Sequence, residues 1–195
     1  AVFYEPFNFN VGAERACYWT RQQLQSDPAD LTRSGARWDF LGGLKIKHTM
    51  SGEAYGMGEL TFVHGSPRRP INEYVFPDDV YNNPGKLNAS FDRFQNLCLI
   101  GHTHVPGVFL QTPDFYSPDE ISGLWEVAGP RKVLVNVGSV GQPRDRNPEA
   151  AYAIFDAEDF SIQFKSTPYD VRAAQVRILA AGLPPFLAER LAQGV

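Results

Sequence analysis

Three of the four histidines in the chain stand where an extended apolar run gives way to a glycine. His64 follows Leu-Thr-Phe-Val and precedes Gly65, whereas His102 and His104 follow Leu-Cys-Leu-Ile and Gly101. Neutral imidazole is the commonest side-chain metal ligand, and side chains two apart on a strand share a face. We therefore expect both imidazoles of the His-x-His pair to point to one side of a sheet, with His64 joining them from another strand. The pattern predicts a metalloenzyme.

A structural role for these histidines is the alternative that spacing alone leaves open. A single histidine at a strand end commonly makes ordinary hydrogen bonds, and His48, which has no partner nearby in the sequence, is interpreted in that way. The other three differ because they all follow apolar runs beside glycine. Composition and spacing on their own favour metal binding and a structural role about equally.

Apolar periodicity predicts strands in the middle of the chain and helices at its two ends. Strands are expected at 97–100, after 104, around 131–137, and in two hairpins formed by 44–50 with 58–63 and by 150–156 with 160–167. The first hairpin belongs to a β-like stretch that begins at Trp38. Helices are expected over 11–24 with Asn10 as its cap and an end at 26–28, over 86–94, from 171 with Asp170 as its cap, and over 185–192. The predicted fold class is α/β (α+β), with helices packed on sheets.

Length and composition predict one globular domain over residues 1–195. Charged residues make up 21% of the chain and its formal net charge is −4, so no basic field is expected to attract nucleic acid or anionic lipid. No apolar run approaches a membrane span of ~18 residues, and the first residues lack the pattern of a secretory signal, which favours a cytoplasmic location. Cys17 and Cys98 lack the spacing of a redox or zinc motif and are expected to be buried thiols.

Three segments carry a family resemblance. Val-His-Gly-Ser-Pro at 63–67, Gly-His-Thr-His-Val-Pro at 101–106 and the segment 135–156, which contains Gly-Ser-Val-Gly-Gln-Pro-Arg, resemble the later motifs of the calcineurin-like metallophosphoesterase superfamily. The likeness is to its small bacterial phosphodiesterase and phosphoprotein-phosphatase-like members, and it extends over nearly the whole chain. It implies a four-layer αββα sandwich whose loops at one edge hold two divalent metal ions.

The resemblance also implies roles for individual residues. His64 and His102 would bind one metal and His104 the other, and Gly65 and Gly101 would allow the backbone beside a ligand to turn sharply. Arg144 follows a strand at the same expected edge, where its guanidinium could bind substrate phosphate through paired hydrogen bonds. The alternative for Arg144 is an ion pair with Asp145 or another carboxylate. The same alternative applies more strongly to two further arginines, Arg68 and Arg69.

The family's opening motifs, DxH, GDxxD and GNHD/E, are not in this sequence. They supply the remaining metal ligands, the bridging aspartate and the histidine that is thought to protonate the leaving group. The resemblance therefore places no catalytic general acid in this chain, which looks like a family member without its opening βαβ portion. The acidic residues that do occur near the motifs are interpreted as turn, loop or cap residues: Asp78, Asp79, Asp92 and Asp145.

The function implied is hydrolysis of a phosphomonoester or phosphodiester, in which two divalent ions activate a bridging hydroxide. Mixed histidine and carboxylate ligation suits Mn, Fe, Zn or Ni, and Mn is the metal of choice for an assay. The alternative is a non-catalytic interaction module, as the retromer subunit with this fold is. Metallo-β-lactamase and cupin-like sites fit poorly, because Val105-Pro106-Gly107 follows His104 where HxHxDH is required, and the Gly-Ser-Val-Gly-Gln-Pro-Arg loop has no role in a cupin. The sequence predicts no particular oligomeric state.

Overall fold

The structure is a computed structural model that describes residues 3–7, 9–25, 31–127 and 131–195. Residues 46–169 together with 193–195 form one compact unit, and residues 1–45 together with 170–192 form another. The larger unit contains the strands, and the smaller unit contains the helices from the two ends of the chain. The single domain over residues 1–195 stays a prediction.

The strands of the larger unit form two sheets. Their bounds are β1 Lys47–Ser51, β2 Glu59–Val63, β3 Leu97–Ile100, β4 Gly107–Leu110, β5 Asp114–Tyr116, β6 Leu124–Glu126, β7 Val133–Asn136, β8 Ala150–Asp156 and β9 Ser161–Thr167. One sheet has the order β1-β2-β3-β7-β4-β5 and the other the order β6-β9-β8. Strands β2, β3 and β7 are parallel neighbours, so their carboxyl ends meet at one edge of the larger sheet.

Both predicted hairpins are confirmed. Strands β1 and β2 pair antiparallel around a 3-10 helix at Glu53–Tyr55, and β8 pairs with β9 from Ala150 opposite Thr167 to Asp156 opposite Ser161. The β-like stretch, however, begins later than predicted, because Trp38 lies within a helix that ends at Gly43. The short strands β5 and β6 were not predicted.

The central strands of the larger sheet are buried on both faces, whereas the edge strand β1 is exposed. Along β7, Leu134 packs with the helices α3 (Asp79–Asn82) and α4 (Pro84–Phe91), whereas Val133 and Val135 pack with Ile162 of β9 on the other face. This alternation follows the two-residue period of a strand. The larger unit therefore has a helix, sheet, sheet order, and the α/β (α+β) class is confirmed. The buried thiol Cys98 lies in the core on the helical face, as expected for a structural cysteine.

The smaller unit consists of helices α1 (Val11–Gln25), α2 (Leu31–Gly43), α5 (Val171–Ala180) and α6 (Phe186–Glu189), with a 3-10 helix at Arg190–Gln193. The predicted caps are confirmed, because the side chain of Asn10 accepts a hydrogen bond from Ala13 N at 2.9 Å and that of Asp170 accepts one from Ala173 N at 2.8 Å. The predicted end of α1 at 26–28 lies outside the described residues. Within the described ranges, no helix combines the length and the apolar character needed to cross a bilayer.

Candidate metal centre

The predicted histidines collect at the carboxyl edge of the parallel strands. His64 directly follows β2, and His102 follows β3 after one glycine, Gly101. The Gly101 amide donates to the carbonyl of His64 at 3.0 Å, which continues the pairing of the two strands into their loops. This edge is where the ligands of open α/β sheets usually bind, because loops from neighbouring strands converge there.

His64 and His102 face each other directly. The Nε2 atom of His64 lies 2.9 Å from Nδ1 of His102, and the ring centroids are 4.6 Å apart. Burial lowers the pKa of both rings, and for His102 the positive charge of a protonated His64 lowers it further, to about 4. The two imidazoles are therefore neutral at pH 7, which is the form that binds metals.

The spacing of this pair fits shared ligation of one ion. Two nitrogens that bind a transition metal at about 2.1 Å and at a right angle to each other lie about 3 Å apart. The two atoms of His64 and His102 meet that requirement at 2.9 Å. The described ranges nevertheless contain no group of three His, Cys, Asp or Glu side chains that could hold a metal ion. The pair therefore fits as part of a ligand set, and the set is incomplete in the described residues.

The ring of His102 is held from two sides. The Tyr74 ring stacks on it with centroids 3.9 Å apart and an angle of 18° between the planes. The His102 ring also hydrogen-bonds to the backbone of Asn72, a contact that raises its pKa without outweighing burial. Such outer contacts orient the ring and select its tautomer, which is how metal-binding histidines are commonly prepared.

Asn136 connects the loops of the site, and sequence reasoning missed it. Its fully buried side chain donates to the Gly101 carbonyl at 2.9 Å and to the Thr103 hydroxyl at 2.7 Å, and it accepts from Gly138 N at 3.0 Å. The Thr103 hydroxyl in turn donates to the carbonyl of Val75 at 2.9 Å. The available signal was a single amide residue at the end of the apolar strand Val-Leu-Val-Asn.

His104 lies on the loop after β3. It contacts the loop after β7, the strand that pairs with β3. Its Nδ1 atom lies 2.7 Å from the carbonyl of Gln142, and its own carbonyl accepts from Arg144 N at 3.1 Å. Because a carbonyl oxygen can only accept, Nδ1 carries the proton of the neutral ring, and Nε2 carries the lone pair that a metal would use. The contact with Gln142 thus defines the tautomer of a neutral His104 ring.

The strand periodicity from which a shared face for His102 and His104 is predicted does not apply to these residues. Both residues lie beyond the end of β3, and both adopt left-handed backbone conformations with φ of 63°. The two-residue period holds only for extended backbone, so it does not carry over to this loop. The close neighbour of His102 is His64 on the adjacent loop.

Of the two glycines beside the histidines, only Gly65 meets the expectation of a crowded backbone. A Cβ atom on Gly65 would lie 2.8 Å from the carbonyl oxygen of Arg69 and 3.0 Å from Glu73 N, so a side chain would displace the loop. A Cβ atom on Gly101 would lie 3.7 Å from its nearest neighbour, an ordinary contact. The backbone of Gly101 therefore does not require glycine, and that prediction is wrong.

Arg144 lies beside the histidines and does not form the ion pair with Asp145 that was its alternative. Its Nη2 atom donates to Oε1 of Gln142 at 3.2 Å, while its buried Nε atom has no hydrogen-bond partner in the described structure. Its charge also contributes to the lowered pKa of His102. By contrast, Arg68 forms the expected ion pair, with Nη2 2.6 Å from Oε1 of Glu73.

The acidic residues near the motifs have structural contacts, as predicted. Asp79 accepts from Phe76 N at 2.7 Å, and Asp145 accepts from Asn147 N at 3.3 Å. Asp78 and Asp92 flank helices α3 and α4. Burial raises the pKa of Asp145, which lines a cavity of about 510 Å³ whose lining includes none of the three histidines.

Two proteins are similar to this chain over nearly its whole length. It is 33% identical to a metallophosphoesterase from Sphaerobacter thermophilus, and the two structures match with a TM-score of 0.74 over 96% of this chain and 69% of that one. It is 31% identical over 192 residues to the uncharacterised protein MJ0912 of Methanocaldococcus jannaschii, which covers 95% of this chain and 68% of that protein. No family model matches the chain.

A more distant structure has the same fold. The hypothetical protein PH1004 from Pyrococcus horikoshii OT3 is 20% identical and has a TM-score of 0.68 over 97% of this chain and 63% of its own. The first two relatives align with nearly the whole chain, and the better structural match is itself a metallophosphoesterase. The chain therefore belongs to the metallophosphoesterase family and has the calcineurin-like metallophosphoesterase fold.

Proposed function

We propose that this chain supplies three histidine ligands to a phosphoesterase centre that hydrolyses a phosphomonoester or a phosphodiester. The observation that carries the proposal is the approach of His64 Nε2 to His102 Nδ1 at 2.9 Å, at the carboxyl ends of adjacent parallel strands. Two neutral imidazoles in this position form a ready pair of metal ligands. The family membership gives that pair a chemical context.

The assignment of ligands follows the family resemblance, and the contacts of the rings indicate which nitrogen each histidine would use. His64 Nε2 and His102 Nδ1 would bind one ion, and His104 Nε2 would bind a second ion, with Mn preferred and Fe, Zn or Ni also suited to such ligands. When bound, two such ions activate water and neutralise the charge of the phosphoryl oxygens. The bridging carboxylate and the acid for the leaving group belong to the family motifs that this sequence does not contain.

Arg144 has the chemistry of a phosphate-binding residue in this centre. Leaving a buried donor without a partner costs about 1–3 kcal/mol, and the Nε atom of Arg144 is such a donor. A phosphoryl oxygen would accept from this guanidinium, since planar N–H groups match phosphate geometry. The hydrogen bond to Gln142 holds the group beside the histidines before substrate arrives.

A non-catalytic interaction module is the second candidate function. The observation that favours it is that the described part of the chain has no complete group of three metal-binding side chains. A member of the fold without a full ligand set would keep its surfaces and lose hydrolysis. Metal binding by the histidine pair separates the two functions.

The first experiment measures Mn²⁺ binding by calorimetry and hydrolysis of p-nitrophenyl phosphate and bis-p-nitrophenyl phosphate. His64→Ala and His102→Ala are compared with His48→Ala, which removes an exposed imidazole from β1 outside the site. We expect the two site variants to weaken Mn²⁺ binding by more than the 10- to 100-fold typical of outer contacts, and the control to match the unmodified chain. Equal binding by all of these proteins would overturn the ligand assignment.

Absence of Mn²⁺ binding by the unmodified chain would support the interaction module. Binding without hydrolysis is expected of a metal centre in a chain that does not contain the motifs for the bridging carboxylate and the leaving-group acid. Hydrolysis that depends on His64 and His102 would support the phosphoesterase. The ratio of rates for the two p-nitrophenyl esters then distinguishes a monoesterase from a diesterase.

A further inference from the structure

Two exposed aromatic rings lie beside the histidine pair. Tyr74 and Phe76 are 39% and 47% exposed, and their rings are nearly parallel, with centroids 5.4 Å apart and an angle of 12° between the planes. We refer to these two side chains as the aromatic ledge. Scattered apolar side chains at a surface are ordinary, but two exposed rings with nearly parallel planes offer a flat apolar surface.

The aromatic ledge is continuous with the candidate metal centre. The ring of Tyr74 also lies 3.9 Å from the ring of His102, at 18°. Phe76, Tyr74 and His102 therefore form a series of nearly parallel rings that ends at a proposed metal ligand. A group bound at the histidines would have the aromatic ledge as its neighbour.

The backbone that carries the aromatic ledge is fixed by a buried side chain and by hydrogen bonds. Val75, between the two rings in sequence, is 1% exposed, and its carbonyl accepts the hydrogen bond from Thr103. Lys86 Nζ donates to the carbonyl of Tyr74 at 3.1 Å, and Phe76 N donates to Asp79 at 2.7 Å. The backbone thus points Val75 into the core and its two neighbours outward, so the exposure of the rings is built into the fold.

Planar ligands are the class that such a surface favours. Aromatic rings attract one another in offset stacks with centroids about 4.5–7 Å apart, and stacking of a base on an aromatic side chain tolerates different ring types. Both rings are already exposed and held in place by the backbone, so the protein loses little conformational freedom when a ligand binds. Neither side chain provides a charge that would attract a phosphate.

We propose that the aromatic ledge binds a planar aromatic group of the phosphoester substrate, a nucleobase or an aryl ring, while the phosphoryl group lies at the histidines and Arg144. This inference rests on the proposed function and specifies its substrate class. The ester's aromatic group stacks on Phe76, because the ring of Tyr74 already stacks on both Phe76 and His102. The series of rings sets the direction in which the substrate extends from the metals.

The test measures binding of non-hydrolysable ligands to the Mn²⁺-treated protein by calorimetry. Phenylphosphonate is compared with methylphosphonate, and the methylenephosphonate analogue of AMP with that of ribose 5-phosphate, so that each pair differs by a planar group. We expect phenylphosphonate to bind about 5- to 150-fold more tightly than methylphosphonate, the range that stacking provides. A preference within the AMP pair identifies a nucleobase, and a preference within the phenyl pair alone identifies a smaller aryl group.

Phe76→Ala is the diagnostic variant because the ring of Phe76 stacks on Tyr74 and on no proposed metal-binding histidine among the described contacts. Tyr74, by contrast, stacks on His102. We expect it to reduce the preference for the planar ligand to near unity and to leave methylphosphonate binding unchanged, with Phe76→Tyr restoring the preference. Tyr81→Ala is the matched control, since Tyr81 is 80% exposed on α3 and has no ring contact among the described residues.

The outcomes separate this inference from the proposed function. Equal binding of the planar and non-planar ligands, or a preference that survives Phe76→Ala, would overturn the role of the aromatic ledge alone. Absence of binding by every phosphonate would overturn the phosphoesterase centre and the aromatic ledge together. A preference that disappears in Phe76→Ala and persists in Tyr81→Ala supports the inference.

Discussion

The side-chain amide of Asn136 donates a hydrogen bond to the hydroxyl of Thr103 at 2.7 Å, and both side chains are almost completely buried. Through this contact the end of β7 supports the loop that carries two of the three histidines. The same amide also bonds to Gly101 and Gly138, so one side chain satisfies groups from two loops. The geometry of the candidate metal centre therefore depends on a residue that does not contact a metal.

Asn136→Leu keeps a similar volume but removes the donor and the acceptor. Several buried groups then lose their partner, at a cost of about 1–3 kcal/mol each, so we expect the free energy of unfolding to fall by about 3 kcal/mol or more. Urea denaturation followed by circular dichroism measures the change. Asn88→Ala, at an exposed position of α4, is the control and should lie within about 0.5 kcal/mol of the unmodified chain. Equal loss in both variants would contradict the role of Asn136.

Tyr74→Leu should weaken Mn²⁺ binding through His102. The leucine side chain removes the stacked ring that restricts rotation of the imidazole, and loss of an outer contact typically costs about 10- to 100-fold in metal affinity. Tyr74→Phe keeps the stacked ring and should bind Mn²⁺ like the unmodified chain. Calorimetric titration of the three proteins decides the matter, and an unchanged affinity in Tyr74→Leu would show that stacking does not orient His102.

Glu73→Gln tests the ion pair that braces the loop after His64. Burial disfavours the charged form of Glu73, but hydrogen bonds from Arg68 and Ser66 outweigh it and lower the pKa of the carboxyl below its usual 4.5. Because the pKa is lower in the folded chain, the ionised form stabilises the fold above pH 4.5, and this contribution disappears as the pH falls through the folded-state pKa.

We therefore expect Glu73→Gln to lower the thermal midpoint at pH 7 and to approach the unmodified chain at pH 3. Differential scanning calorimetry at both pH values measures the gap between the thermal midpoints of the variant and the unmodified chain. Glu53→Gln, in the exposed turn between β1 and β2, provides a control without an ion pair among the described residues. A gap that is the same at both pH values would show that the charge of Glu73 does not act through this pair.

Sequence periodicity located the elements whose burial is regular. The runs Leu97–Ile100 and Ala150–Asp156 form strands at the predicted residues, because core-facing apolar side chains leave a clear pattern. Helix α2 was missed. Its segment contains Gly35, Gly42 and Gly43, each of which disfavours a helix by about 1 kcal/mol relative to alanine. Packing of Trp38 against the Phe3 ring, at 5.2 Å, is a tertiary contact that local propensity does not report.

The site was predictable in its residue types and not in its arrangement. The position of His64 and His102 after neighbouring apolar runs indicated convergence, which the parallel pairing of β2 and β3 explains. Their pairing at 2.9 Å depends on a left-handed backbone at His102, and no local pattern specifies that conformation for a non-glycine residue. Tyr74 reaches His102 from 28 residues earlier in the chain and carries no motif of its own.

The thiol of Cys98 lies on β3, an inner strand of the larger sheet. The side chain is completely buried, and burial raises its pKa to about 12, an effect that the charge of Lys47 only partly opposes. Only the thiolate reacts readily, so we expect Cys98 in a Cys17→Ser variant to remain unmodified by Ellman's reagent at pH 8 until the chain unfolds. When guanidinium chloride is added, one thiol per chain should react rapidly with the reagent. Because the unfolded thiol ionises near pH 9 and the folded one does not, stability should also fall as the pH rises above that value. Rapid modification of the folded protein would show that β3 opens to solvent, and with it the strand end that carries His102.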